Sequence, residues 1–213
     1  MIINRINREV AAISLSYVDR FLSYYSCDRR TFKLAATSSL FLAVKLHEPR
    51  KTDLMGILSD LSRGEFSMDD VIRMEHEFLD ALTWKLNPPT SVAFVGYFLH
   101  LLQAPIDSEV TRSISALAAF FTELAICDYS LVTVNSSTIA VASILNAMET
   151  INSKNFTRKS KNAFAELIAK HFGMLQNSNH LLRARRKLWT LYEKSEGKLF
   201  VQVLKFAFLL YHV

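Results

Sequence analysis

A chain of 213 residues, half of them hydrophobic, holds enough apolar material for one large domain or two of about a hundred residues, which argues against extended disorder. Five glycines and four prolines are too few turn-formers for an all-β protein of this size, so long helices are expected. The formal charge of +5 excludes a strongly acidic protein, and its excess lies wholly in the second half, mainly in Lys154–Lys161 and Arg183–Lys187, runs that read first as solvated helix faces.

The first predicted helix covers about Asn4 to Tyr25, where Ile6, Val10, Ile13, Tyr17 and Phe21 make one apolar stripe. Asp28 opens a turn. The next helix, about Thr31 to His47, is apolar or small in nearly every direction (Leu34, Ala35, Ala36, Leu40, Phe41, Leu42, Ala43, Val44), the pattern of a helix surrounded by others. Pro49 closes it, because the residue before proline is pushed out of the helical region. Thr52 caps a short helix through Leu61, and Arg63-Gly64 breaks it. Ser67, followed by Asp69 and Asp70, caps a helix whose core stripe is Val71, Met74, Phe78 and Leu82, extending to about Trp84. Asn87-Pro88-Pro89 stops it. Thr90 caps another helix with Phe94, Phe98, Leu101 and Leu102, and Pro105 closes the first unit.

The second unit begins near Ser108 with Val110, Ile114, Leu117, Phe121 and Leu124 on one face. After a loop at about Asp128 to Asn135, Ser136 caps a small-residue helix through about Met148, and helices near 160–172 and 179–194 follow. Thr37–Val44 and Thr138–Leu145 echo each other as two central helices. The expected architecture is all-α, two helical bundles in tandem: residues 1–104, residues 105–198, and an atypical apolar tail at 199–213.

No instrument of catalysis is visible. Five scattered glycines build no phosphate-cradling loop, the six histidines never take a zinc-binding spacing with an acid, and no cysteine pair has finger spacing. Serines are plentiful, but none sits on a strand-turn-helix elbow. Cys27 and Cys127 are expected to stay reduced, and no signal peptide or membrane span is read. The expectation is a soluble intracellular protein, nuclear or cytoplasmic, that is not an enzyme and takes no metal, cofactor or small-molecule substrate.

Four segments, in order and at fitting separations, resemble the cyclin family. Tyr17-Val18-Asp19-Arg20-Phe21-Leu22-Ser23 resembles its "YIDRFLS" element, and Leu42-Ala43-Val44-Lys45-Leu46-His47-Glu48 its "LASKFEE". Arg73-Met74-Glu75-His76 matches "RMEH", and Leu82-Thr83-Trp84-Lys85-Leu86 with Pro89-Thr90 resembles the "LxFxLxxPT" exit. The resemblance covers residues 7 to about 100 well and the second unit loosely, chiefly through Tyr129 to Met148. It implies two five-helix cyclin-like repeats and a protein acting by contact, which binds a cyclin-dependent kinase and presses its regulatory helix into the active position. The family's backbone-gripping lysine and glutamate map onto Lys45 and Glu75, and its apolar kinase contacts onto Leu46, Leu79, Trp84 and Leu86. The residues agree: a charge beside an apolar surface needs a partner, and Lys45 ends an apolar helix while Glu75 flanks the Met74 stripe.

The chain departs from the family at its start, where the first helix, with its "MRAILVDWL" element, has no counterpart. The aspartate matching Asp19 pairs in the family with an arginine of that helix, so Asp19 is expected to face an empty place; a truncated gene model is the simplest explanation and a degenerate family member the other. The alternative function is a cyclin-fold nucleic-acid-binding adaptor of the general transcription factor IIB type, which the basic second half favours and the neutral first half does not.

Overall fold

The computed structural model describes residues 6–48, 56, 62, 64–101, 108–151 and 157–195. These form α1 (Arg8–Leu22), α2 (Arg29–His47), α3 (Met68–Ala81), α4 (Ser91–His100), α5 (Ser108–Ile126), α6 (Ser136–Thr150), α7 (Arg158–Phe172) and α8 (Asn179–Ser195), with a 3-10 turn at Tyr129–Leu131. Among the described residues there is no strand. The helix expected at Thr52–Leu61, the tail at 199–213 and most of the Lys154–Lys161 run's first half lie outside the described residues.

The helix starts are set by short polar side chains that accept from otherwise orphaned backbone N–H groups. Asn7 accepts from Glu9, Asp28 from Thr31, and Thr90 from Ala93. Ser67 and Asp70 form a reciprocal capping box at α3. Gly173, at φ 67°, ends α7 in the left-handed region where a side chain would be strained.

The chain divides into two compact units between Pro88 and Pro89. In the first, α2 lies between α1 and α3 and is buried from Thr37 through Val44, as its all-round apolar surface requires. Tyr17, Phe21, Leu40, Leu42, Phe78 and Leu82 make the centre of this core. Phe21 packs on Phe78 with ring centroids 4.7 Å apart.

In the second unit α6 takes the central place, buried from Ile139 through Met148 and packed by α4, α5, α7 and α8. Its core includes Ile114, Phe121, Ile144, Phe164 and Leu188. Asn146 joins α6 to α8 by donating to the Arg185 carbonyl and accepting from the Arg185 Nε. The division falls ahead of the 104/105 boundary expected from the sequence. Val95, Phe98 and Leu99 place α4 in the second core, so the diproline, and not Pro105, separates the units.

Several helix ends also differ from expectation, among them the start of α6, where Asn135 and not Ser136 holds the N-cap position. α1 begins at Arg8, because Asn7 caps it, and ends at Leu22. α3 stops at Ala81 instead of Trp84, where Thr83 N–H turns back to the Asp80 carbonyl and Trp84 N–H to that of Leu79. Among the described residues no helix is long and apolar enough to cross a membrane, and no cluster of His, Cys, Asp and Glu could hold a metal ion. Cys27 and Cys127 are unbonded thiols, with burial pushing Cys127 up to about 11.

Candidate functional site

The last turn of α2 leaves the core. Val44 is fully buried, whereas Lys45 and Leu46 are exposed. α3 runs alongside with its core stripe at Val71, Met74 and Phe78, which puts Glu75 at the margin of that stripe. The two margins meet. Lys45 Nζ donates to Glu75 Oε1 at 2.6 Å, with the lysine side chain 48% exposed and the glutamate side chain 12%. Sequence separation gave no contact between them; α2–α3 packing does.

Apolar side chains flank the pair. Leu46 follows Lys45 and is exposed, and Leu79 lies one turn beyond Glu75 at the edge of the first core. Leu86 is also half-buried against that core. Ile72 was not singled out from the sequence. It is exposed, and at i, i+3, i+7 it shares a face of α3 with Glu75 and Leu79. An apolar residue off the core stripe but in line with the candidate acid was the available signal.

Trp84 is 70% exposed, on a turn in which Thr83 (φ 48°) and Trp84 (φ 59°) are both left-handed. For residues with a β-carbon this conformation costs on the order of 1–2 kcal/mol each. Side chains of α1 brace the turn. Arg20 Nη1 donates to the Lys85 carbonyl at 2.8 Å and Nη2 to the Leu82 carbonyl at 3.1 Å. The Tyr17 hydroxyl donates to the Leu86 carbonyl at 2.5 Å. Burial pushes Tyr17 up to about 12, outweighing the nearby Arg20 charge, so the phenol stays a donor. Both residues stand in a quoted motif, but their targets are 62 to 69 positions away, beyond any local pattern.

Asp19, next to Arg20, is exposed on α1, and no ion pair to it is formed among the described residues. Although the residue is exposed, neighbouring groups partly shield its carboxyl from water, and that desolvation raises its pKa.

The basic run on α8 is partly engaged within its own unit. Arg185 pairs with Glu149, and Lys187 Nζ lies 2.7 Å from Asp128 Oδ2. Arg183 and Arg186 are exposed.

Residues 3–87 match the family model for the cyclin N-terminal domain, and residues 89–201 match that for the cyclin C-terminal domain. The two matches meet at the same diproline that divides the fold. Cyclin-B1-1 of Oryza sativa subsp. japonica is 27% identical over 192 residues, covering 87% of this chain and 42% of its own. G2/mitotic-specific cyclin-2 of Antirrhinum majus is 30% identical over 193 residues, 87% of this chain and 42% of its own. Cyclin-A3-3 of Arabidopsis thaliana is 29% identical over 140 residues, 65% of this chain and 42% of its own. The chain thus spans about two-fifths of the length of these curated relatives.

Proposed function

Because the chain belongs to the cyclin family, we propose that it is a regulatory subunit that binds and activates a cyclin-dependent protein kinase in cell-cycle control. It acts by contact with its partner. The observation that carries this reading is the Lys45–Glu75 pair in its apolar setting.

The pair suits recognition of a partner's main chain. A lysine ammonium has three donors, and one serves Glu75 Oε1, leaving the others for backbone carbonyls. The second oxygen of Glu75 can accept from backbone N–H groups. Leu46, Ile72, Leu79, Trp84 and Leu86 supply apolar surface for the partner to cover. Covering it removes water and strengthens each charge-assisted hydrogen bond. A kinase helix held this way is fixed in both position and direction.

The test is the affinity of the purified chain for a purified cyclin-dependent kinase, together with the phosphorylation rate of the complex. Lys45→Ala and Glu75→Ala are each expected to weaken docking by about 2–5 kcal/mol, the cost of stranding one member of a desolvated charged set. The activated rate at subsaturating kinase falls in parallel. Equal affinity for parent and variants would remove the assigned site.

The nucleic-acid-binding alternative draws on the basic second half. There Arg185 and Lys187 already serve intrachain carboxylates, which lowers the charge available to phosphates. Kinase docking is the better supported reading.

A further inference from the structure

The kinase-docking reading needs the large, exposed Trp84 indole to be held in one place, and its own segment supplies backbone hydrogen bonds from Thr83 to Asp80, from Trp84 to Leu79 and from Lys85 to Leu82. Thr83 and Trp84 follow the end of α3 as consecutive left-handed residues, and neither is a glycine. Such a pair persists only where its surroundings over-determine it. Released, the segment would relax toward ordinary backbone angles, and an indole 70% exposed would sample many orientations.

To these local bonds α1 adds tertiary restraints from two side chains, Arg20 and Tyr17. The Arg20 guanidinium spans the strained pair, one nitrogen on the carbonyl before it, at Leu82, and the other on a carbonyl after it, at Lys85. A planar guanidinium suits this bridging task, since its donors keep a fixed separation. Tyr17, one turn earlier on α1, adds a third tie at the Leu86 carbonyl and is itself completely buried. With both ends of the turn tied to a core helix, the indole has a rigid base.

We propose that Arg20, assisted by Tyr17, is a positioning residue for kinase docking: it clamps the Leu82 and Lys85 carbonyls on either side of the strained Thr83-Trp84 pair and so pre-orders the Trp84 indole. It touches no partner. Its effect is to spare the partner the entropy of ordering a long apolar side chain on a mobile loop. This inference rests on the docking reading for its purpose but not for its geometry, so the two can fail separately.

The experiment follows the motion of Trp84 directly, without a kinase. The chain has two tryptophans, and Trp189→Phe leaves Trp84 as the only fluorophore of its kind. In that background, time-resolved fluorescence anisotropy of the full chain separates local indole motion from overall tumbling. Arg20→Gln, with helix content retained by circular dichroism, is expected to raise the amplitude of the local component at least twofold. Arg20→Lys, a point charge able to reach one carbonyl well, is expected to give an intermediate value. Lys45→Ala, a change at the docking pair, leaves the local component as in the parent. An Arg20→Gln chain with helix content and Trp84 motion both unchanged would overturn the assignment. Should Arg20→Gln lose helix content, Arg20→Lys decides, and parental motion there overturns it equally. Kinase affinity is then read on the same proteins. A loosened Trp84 with at least fivefold weaker binding supports the positioning role, and a loosened Trp84 with parental affinity overturns it. Parental affinity in both Lys45→Ala and Glu75→Ala would count against the docking site alone.

Discussion

Lys45 is half exposed and Glu75 is nearly enclosed, and that asymmetry decides what each contributes to the free chain. Removing Glu75 leaves a lysine that water can solvate, whereas removing Lys45 leaves a carboxylate with little access to solvent. Lys45→Ala is therefore expected to lower folding stability by about 1–2 kcal/mol and Glu75→Ala by less than about 1 kcal/mol, read from urea midpoints. Both losses lie at or below the lower end of the one expected on docking, and the urea midpoints show how much of each variant is folded when its binding is read. Tyr17 gives a pH signature. Its folded-state pKa, about 12, is raised above the ordinary value of 10, so its contribution is full below pH 10 and lost as pH rises toward 12. The loss is on the order of 1–2 kcal/mol, and comparing unfolding midpoints at about pH 9 and pH 11.5 measures it. Tyr17→Phe, which cannot ionise, should lack this part of the alkaline decline. The chemistry of these side chains was legible in their motifs. Their partners were not, because Arg20 and Tyr17 act on carbonyls that only the packing of α1 beside the end of α3 brings near.

Helix α2 illustrates what element-scale patterning can and cannot tell. Its small and apolar residues point all round the axis, and the structure buries every position from Thr37 to Val44. With Ala43 completely enclosed, Ala43→Leu is expected to destabilise by about 1–3 kcal/mol through overpacking, measured by denaturant unfolding. The caps at Ser67 and Thr90 were readable because capping is a contact across two or three residues, whereas Asp28 was read only as a turn and proves to cap α2. Ser67→Ala removes one half of the α3 capping box and should cost about 0.5–2 kcal/mol, visible as a lower thermal midpoint. Hydrogen bonds from Ser67 and the Arg73 charge hold Asp70 down to about 2, so its part of the box is present above the ordinary carboxylate pKa and lost as pH falls toward 2. The helix ends were less legible. α3 gives way to left-handed backbone at Thr83, a residue with no intrinsic preference for it, because tertiary ties outweigh local preference there.

At the scale of the whole molecule, the charge excess supports the nucleic-acid reading and the Lys45–Glu75 pair the kinase reading, and charge reversal distinguishes them. Arg183→Glu together with Arg186→Glu should leave kinase affinity unchanged while abolishing any salt-sensitive retention on nucleic acid, measured by titration at two salt concentrations. By itself the sequence determined the class of fold, the two central small-residue helices and the caps at Ser67 and Thr90. Those features follow from side-chain chemistry repeated at helical spacing, which operates over a few residues. Tertiary structure alone decided that α4 joins the second unit, that Lys45 meets Glu75, and that α1 braces the turn carrying Trp84. The physical reason is that each of these depends on which helix faces pack together, and packing sums many weak contacts between positions that no local spacing relates.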